Sequence, residues 1–216
     1  MTDNLLRFNK TQKLLSLDAE TENLALFNCT DHKNRPWEWG QVLYQGQKEI
    51  SRQLLYPWWE DLRVGEEAAR ITRFNYEDYK SKATCPRKAL EKVSEIIYDP
   101  SVIVVGQNIL NFDGYVLQNW RQELGLRPDW SFIERTIDTR ALAFAIQKGV
   151  KVVDRDDLFC WQMKYMNTRE KGIKTSLEWL AKYYNLGYEA GSHHSAEYDA
   201  EMTAKIFFKQ VFEIEI

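Results

Sequence analysis

Asp18 and Glu20 stand two residues apart at the end of an apolar run, KLLSLDAETE over residues 13–22. In an extended chain, residues i and i+2 share a face. A strand ending here therefore delivers two carboxylates side by side. Adjacent carboxylates repel unless a cation sits between them, and hard divalent ions such as magnesium take oxygen ligands of this kind. A lone D-x-E is a common tripeptide that equally reads as a solvated strand end. Further carboxylates, brought in by other elements, have to decide between the two.

Two other places offer them. In VVGQNILNFDGYVL, residues 104–117, Asp113 follows an apolar strand and falls in the first turn of the next helix. Ligand sites in α/β sheets gather at such strand ends, although a helix-start Asp is also favoured simply by the helix dipole. In SHHSAEYDA, residues 192–200, Asp199 lies in the first turns of the last helix and His194 precedes it by five residues. That pairs a base on a loop with a carboxylate fixed on a helix. Histidine, with an ordinary pKa of ~6.5, suits proton abstraction near neutral pH. Composition alone leaves His193 and His194 both open as the base.

The elements that must position these groups follow from periodicity. Residues 37–44 (WEWGQVLY) and 48–55, joined by Gln45-Gly46-Gln47, extend the first strand into a three-stranded antiparallel meander. Short helices are expected over 65–73 and 75–82, and a longer one from Pro86, with proline in its first turn. SVIVV at 101–105 reads as a buried central strand. Helices are then expected over 112–124, with Gly125 as the stop, and over 136–147, 156–166, 177–184 and 196–212. Thr175 or Ser176 caps the helix at 177. The predicted fold is α/β: a mixed sheet, three antiparallel strands then parallel strands, flanked by helices. A single domain over residues 1–216 is expected, with 1–12 as a lead-in.

Composition narrows the classes further. The chain has 216 residues, 44% hydrophobic and 28% charged, with a formal net charge of −3. That balance argues against tight non-specific nucleic-acid binding through charge alone. It does not argue against a nuclease, because bound divalent metals carry local positive charge. No apolar run approaches the ~20 residues that span a bilayer, so no membrane partner is expected, and the N-terminus lacks a secretory h-region. Cys29, Cys85 and Cys160 are odd in number and far apart, which points to a reducing, cytoplasmic compartment rather than a disulfide framework. Cys29 and His32 form a C-x-x-H pair with no second pair to complete a zinc site. Trp37, Trp39, Trp58 and Trp59 are expected in the core, with a base-stacking platform as the competing role.

Taken together, D-x-E at a strand end, N-x-x-x-F-D after a buried strand and H-x-A-x-x-D opening the last helix resemble one family. They look like the DEDD (DnaQ-like) 3′→5′ exonucleases, histidine (DEDDh) subclass, with the ribonuclease-H-like fold. The resemblance runs from about residue 13 to residue 212 and includes Ile137-Asp138-Thr139 and the helix SLEWLAKYYNL at 176–186. It implies that Asp18, Glu20, Asp113 and Asp199 are the metal ligands and His194 the general base. It implies that Thr21 lies along the terminal nucleotide, that Leu24 is the apolar wedge between the last bases, and that Asn108 is the asparagine of the second motif. Family members often carry Thr-Gly or Thr-Thr-Gly after D-x-E; here Glu22-Asn23 follow Thr21.

The function expected on that basis is metal-dependent hydrolysis of phosphodiester bonds at 3′ ends, most of all of single-stranded DNA, releasing nucleoside 5′-monophosphates with two divalent ions, Mg2+ or Mn2+. Asp18 would bridge, Glu20 and Asp199 would complete the nucleophile-side ion, and Asp113 would hold the second ion largely through water. RNA 3′-end trimming, oligonucleotide degradation, and a silent module that binds a polymerase or a nucleic-acid end are the alternatives. A DNA polymerase acting in trans is a conceivable partner.

Overall fold

The computed structural model of the chain describes residues 11–26, 33–151, 157–188 and 195–214. Five strands form one mixed sheet: β1 (Lys13–Thr21), β2 (Pro36–Gln45), β3 (Lys48–Leu55), β4 (Val102–Gly106) and β5 (Thr136–Asp138), in the order β3-β2-β1-β4-β5. β1, β2 and β3 pair antiparallel, whereas β4 runs parallel to both β1 and β5. The expected architecture is therefore present.

Eight α-helices follow among the described residues: α1 (Glu66–Thr72), α2 (Tyr76–Lys82), α3 (Pro86–Ile97), α4 (Asp113–Glu123), α5 (Thr139–Lys148), α6 (Leu158–Met166), α7 (Leu177–Tyr183) and α8 (Ala196–Glu213). Their ends obey local chemistry. Proline opens α3, Ser176 caps α7 by accepting from the Trp179 N–H, and Gly125 adopts a positive φ of 72° just beyond α4.

The stretch 136–147 departs from expectation. Its first three residues form β5 rather than a helical turn. Thr136 and Ile137 are buried and β-branched, and they pair with Val104 and Val105 of β4. Asp138 then caps α5, its carboxylate accepting from the Arg140 N–H at 2.9 Å. Helical spacing of Ala and Leu downstream had masked a three-residue strand that tertiary pairing stabilises.

The sheet buries Leu14, Leu15, Leu17 and Val102 through Val105, and α8 packs across it through Ala200, Ala204 and Phe207. Small residues on that helix stripe allow close approach. Trp37, Trp39 and Trp59 are buried, and Trp39 lies 5.9 Å, ring to ring, from the fully buried Trp120. Their role is packing, as expected; Trp58 stacks on Tyr79. No helix among the described residues is long and apolar enough to cross a membrane.

Candidate metal centre

β1 carries Asp18 and Glu20 on one face at its C-terminal end. α8 crosses that end, and Asp199 lies in its first turn. Ligand oxygens of Asp18, Glu20 and Asp199 all fall within 4.8 Å of one another. One bond fixes the helix over the strand: the Ser16 hydroxyl donates to the Ala200 carbonyl at 2.7 Å, linking residues 184 apart in sequence.

Asp113 opens α4 next to this trio. Its carboxylate accepts from the Ala19 N–H, between the two β1 carboxylates, at 3.1 Å. It stands outside the tight group of three and still acts strongly on Asp18. The loop that delivers it is held by Asp138, whose carboxylate accepts from the N–H groups of Asn108 at 3.0 Å and Leu110 at 3.2 Å. Asn108 sits in the left-handed region, at φ 66°, and its side-chain oxygen accepts from Arg140.

The electrostatics are those of like charges held together and partly withheld from water. Burial, then Asp113, Asp199, Glu20 and Glu38 in turn, push Asp18 well above the usual carboxylate range. Burial and the carboxylates of Asp199, Glu38 and Asp113 push Glu20 up to about 8. Burial raises Asp113 to about 7, with Asp138 adding to the shift and the Ala19 N–H opposing it. Burial also raises Asp138, to about 6, against its backbone hydrogen bonds. Among the described residues, the charges that shift Asp18 and Glu20 are carboxylates. An all-oxygen, all-carboxylate donor set of this kind fits a hard divalent cation, which would remove the repulsion that otherwise favours protonation.

The other predicted residues are distributed as follows. Thr21 is buried, and its hydroxyl donates to the Asn23 carbonyl at 2.7 Å while accepting from the Asn34 amide. Leu24 is 54% exposed. His194, together with His193, Cys29 and His32, lies outside the described residues.

Three features escaped the sequence reading. Glu38, on β2 directly across from Glu20, accepts from the Ala196 N–H at 2.7 Å and receives hydrogen bonds from Tyr56 and Ser195. Gly40 pairs with Asp18, and a Cβ there would lie 2.1 Å from the Ala196 carbonyl carbon. An acid and a glycine two apart in a strand are the signals that could have shown this, since glycine within a strand often marks close backbone approach. Third, Glu22 and Arg35 form a buried pair. Arg35 donates to Glu22 from its backbone N–H, Nε and Nη2, and Arg63 adds a further N–H. Arg35 Nη1 reaches Asp61 at 2.8 Å, and its guanidinium lies 4.8 Å over the Trp59 ring. The residue that departs from the usual T-G pattern is thus the anchor of the segment that follows β1.

No family model and no curated protein matches the sequence. Solved structures do. The zinc-bound form of E. coli exonuclease I with single-stranded DNA superposes with a TM-score of 0.68 at 18% identity, covering 93% of this chain and 40% of that one. E. coli exonuclease I with a dA16 oligonucleotide gives 0.67 at 18%, covering 92% and 43%. The metal-free form with single-stranded DNA gives 0.63 at 17%, covering 92% and 42%. The likeness is one of fold, the ribonuclease-H-like fold of exonuclease I, and the chain spans 40% to 43% of the length of these three structures.

Proposed function

We propose that this chain is a metal-dependent 3′→5′ exonuclease of the DEDDh type, acting on the 3′ ends of single-stranded DNA and releasing nucleoside 5′-monophosphates. The observation that carries this reading is the convergence of Asp18, Glu20 and Asp199 within 4.8 Å, with Asp113 beside them. Carboxylates gathered this closely, each raising the pKa of its neighbours, are a costly arrangement for a merely structural site. The fold shared with exonuclease I, solved with single-stranded DNA in both zinc-bound and metal-free forms, supports the same class of substrate.

Asp18, Glu20 and Asp199 would hold one Mg2+ or Mn2+ ion, and Asp18 with Asp113 a second. Two such ions, when bound, neutralise the scissile phosphate and activate water for in-line attack. The chain's own residues supply the rest. The four carboxylates fix where the phosphate is drawn. His194 takes the proton from the attacking water. Leu24, exposed beyond β1, offers an apolar edge to the last base, and stacking contacts of that type are sequence-tolerant. Thr21 and Asn108 are the further substrate-binding residues that the family resemblance implies. The site and its supports all come from one domain.

A polarity assay tests the reading. The 5′- and 3′-labelled single- and double-stranded DNA and matched RNA oligonucleotides are incubated with Mg2+ or Mn2+, with and without EDTA. The expected result is early release of the 3′ label from single-stranded DNA as mononucleotide, stopped by EDTA. Intact ends with both metals, or digestion from the 5′ end, would overturn it; faster loss of RNA would move the substrate to the RNA class. His194→Ala should slow turnover by about 10²–10⁴-fold, measured as single-turnover rate against pH. An unchanged rate would transfer the base role to His193.

A further inference from the structure

We infer that Glu38 is a positioning residue for the metal centre: it sets the height of the first turn of α8 over β1, and through it the place of Asp199. The inference rests on the metal-centre reading above and extends it to a residue that is not itself assigned as a ligand.

Two rungs of the β1–β2 ladder, separated by the Ala19–Trp39 pair, carry the argument. Asp18 faces Gly40 and Glu20 faces Glu38. One strand of each rung thus supplies a ligand, and the other supplies the seat for the helix. At the first rung the seat is bare backbone. The start of α8 passes so near Gly40 that a Cβ would meet Ala196 C at 2.1 Å, Glu197 N at 2.2 Å and Ala196 O at 2.3 Å. These contacts are backbone atoms, which cannot swing aside as a flexible side chain does. At the second rung the seat is a hydrogen bond. Glu38 Oε1 accepts from the Ala196 N–H at 2.7 Å, and this N–H belongs to the first turn, where helix donors have no partner within the helix.

Ser195, the N-cap residue, makes no capping bond with its side chain; it bonds to Glu38 instead. Glu38 therefore does from β2 what an N-cap side chain does locally. The Tyr56 hydroxyl orients the same carboxylate. Gly40 lets the helix come this close, and Glu38 keeps it from drifting off. Asp199, whose N–H donates to the Ser195 carbonyl, rides on the turn so held. Loss of a partner that orients a metal's ligands typically costs about 10–100-fold in affinity.

The test measures Mn2+ binding directly, by calorimetry or by electron paramagnetic resonance of free Mn2+, on protein shown to be folded by circular dichroism. Glu38→Ala should weaken Mn2+ binding by about 10–100-fold. Glu38→Gln keeps an acceptor oxygen for the Ala196 N–H and should stay within about fivefold of wild type, allowing for the lost charge. If Glu38→Ala does not fold, Tyr56→Phe removes one hydrogen bond from the carboxylate and should weaken binding by about threefold. A folded Glu38→Ala, or in its place Tyr56→Phe, with wild-type affinity would overturn the inference. So would Glu38→Gln losing as much as Glu38→Ala, because charge rather than position would then be at work. Failure of wild-type protein to bind Mn2+ would instead defeat the metal-centre reading.

Discussion

Two groups of charge, one buried and one half-buried, lie within a few residues of each other and are built on opposite terms. Glu22 is completely buried, yet its carboxylate receives four N–H donors from Arg35 and Arg63. Asp18 and Glu20, just upstream on the same strand, are surrounded by carboxylates that raise their pKa values. In the first group the chain completes its own electrostatics. In the second the described residues add only like charge, and a cation from solution is the natural completion. Burial of an acid is thus no guide to function by itself; what matters is whether the chain supplies the opposite charge.

The contrast can be broken or sharpened by substitution. Asp18→Ala or Asp199→Ala should abolish exonuclease turnover, measured as release of 3′ label, while leaving the metal-free melting temperature unchanged or raised. A metal-free Tm that collapsed in either variant would place these acids with the structural group. Arg35→Ala should do the reverse. It strands a buried Glu22 and should cost about 3–5 kcal/mol in urea unfolding, as removal of one member of a buried ion pair does. Mn2+ affinity of the molecules still folded should persist.

A pH titration separates the groups more finely. Glu20 moves from 4.5 to about 8 and Asp113 from 3.8 to about 7 on folding. The native state therefore holds protons that the unfolded chain has released. Their contribution to stability is fully present below the ordinary carboxylate pKa and is lost as pH rises through 7 and 8. In EDTA, Tm should fall from pH 5 to pH 8, and Mg2+ should restore it most at the upper end. A flat profile in EDTA would mean the carboxylates do not repel as described. The smallest effect is expected from Glu20→Gln, which should stabilise the metal-free protein at pH 8 by about 0.5–2 kcal/mol, as relief of functional strain commonly does.

What could be read from the sequence was whatever declares itself locally. Alternation disclosed the meander, the continuous apolar run disclosed β4, and the strand-end and helix-start settings of Asp18, Glu20, Asp113 and Asp199 pointed to one place. Glu38 and Gly40 were not legible in this way, because their meaning depends on a helix arriving from about 160 positions away. β5 was missed because three residues show no periodicity and its strand character comes from pairing with β4. Glu22 read as a departure from a pattern; only the return of Arg35, 13 residues later, made it an anchor.

The bond from Ser16 to Ala200 joins the first strand to the last helix. The centre is thus assembled from elements 184 positions apart, and closing so long a loop comes late in folding. During synthesis the ribosome releases Asp18, Glu20 and Asp113 well before Asp199. A partly made or C-terminally clipped chain holds three carboxylates and no closed centre. Under the proposed function, the centre is in this way silent until the helix that carries Asp199 docks, with no inhibitor needed to keep it so.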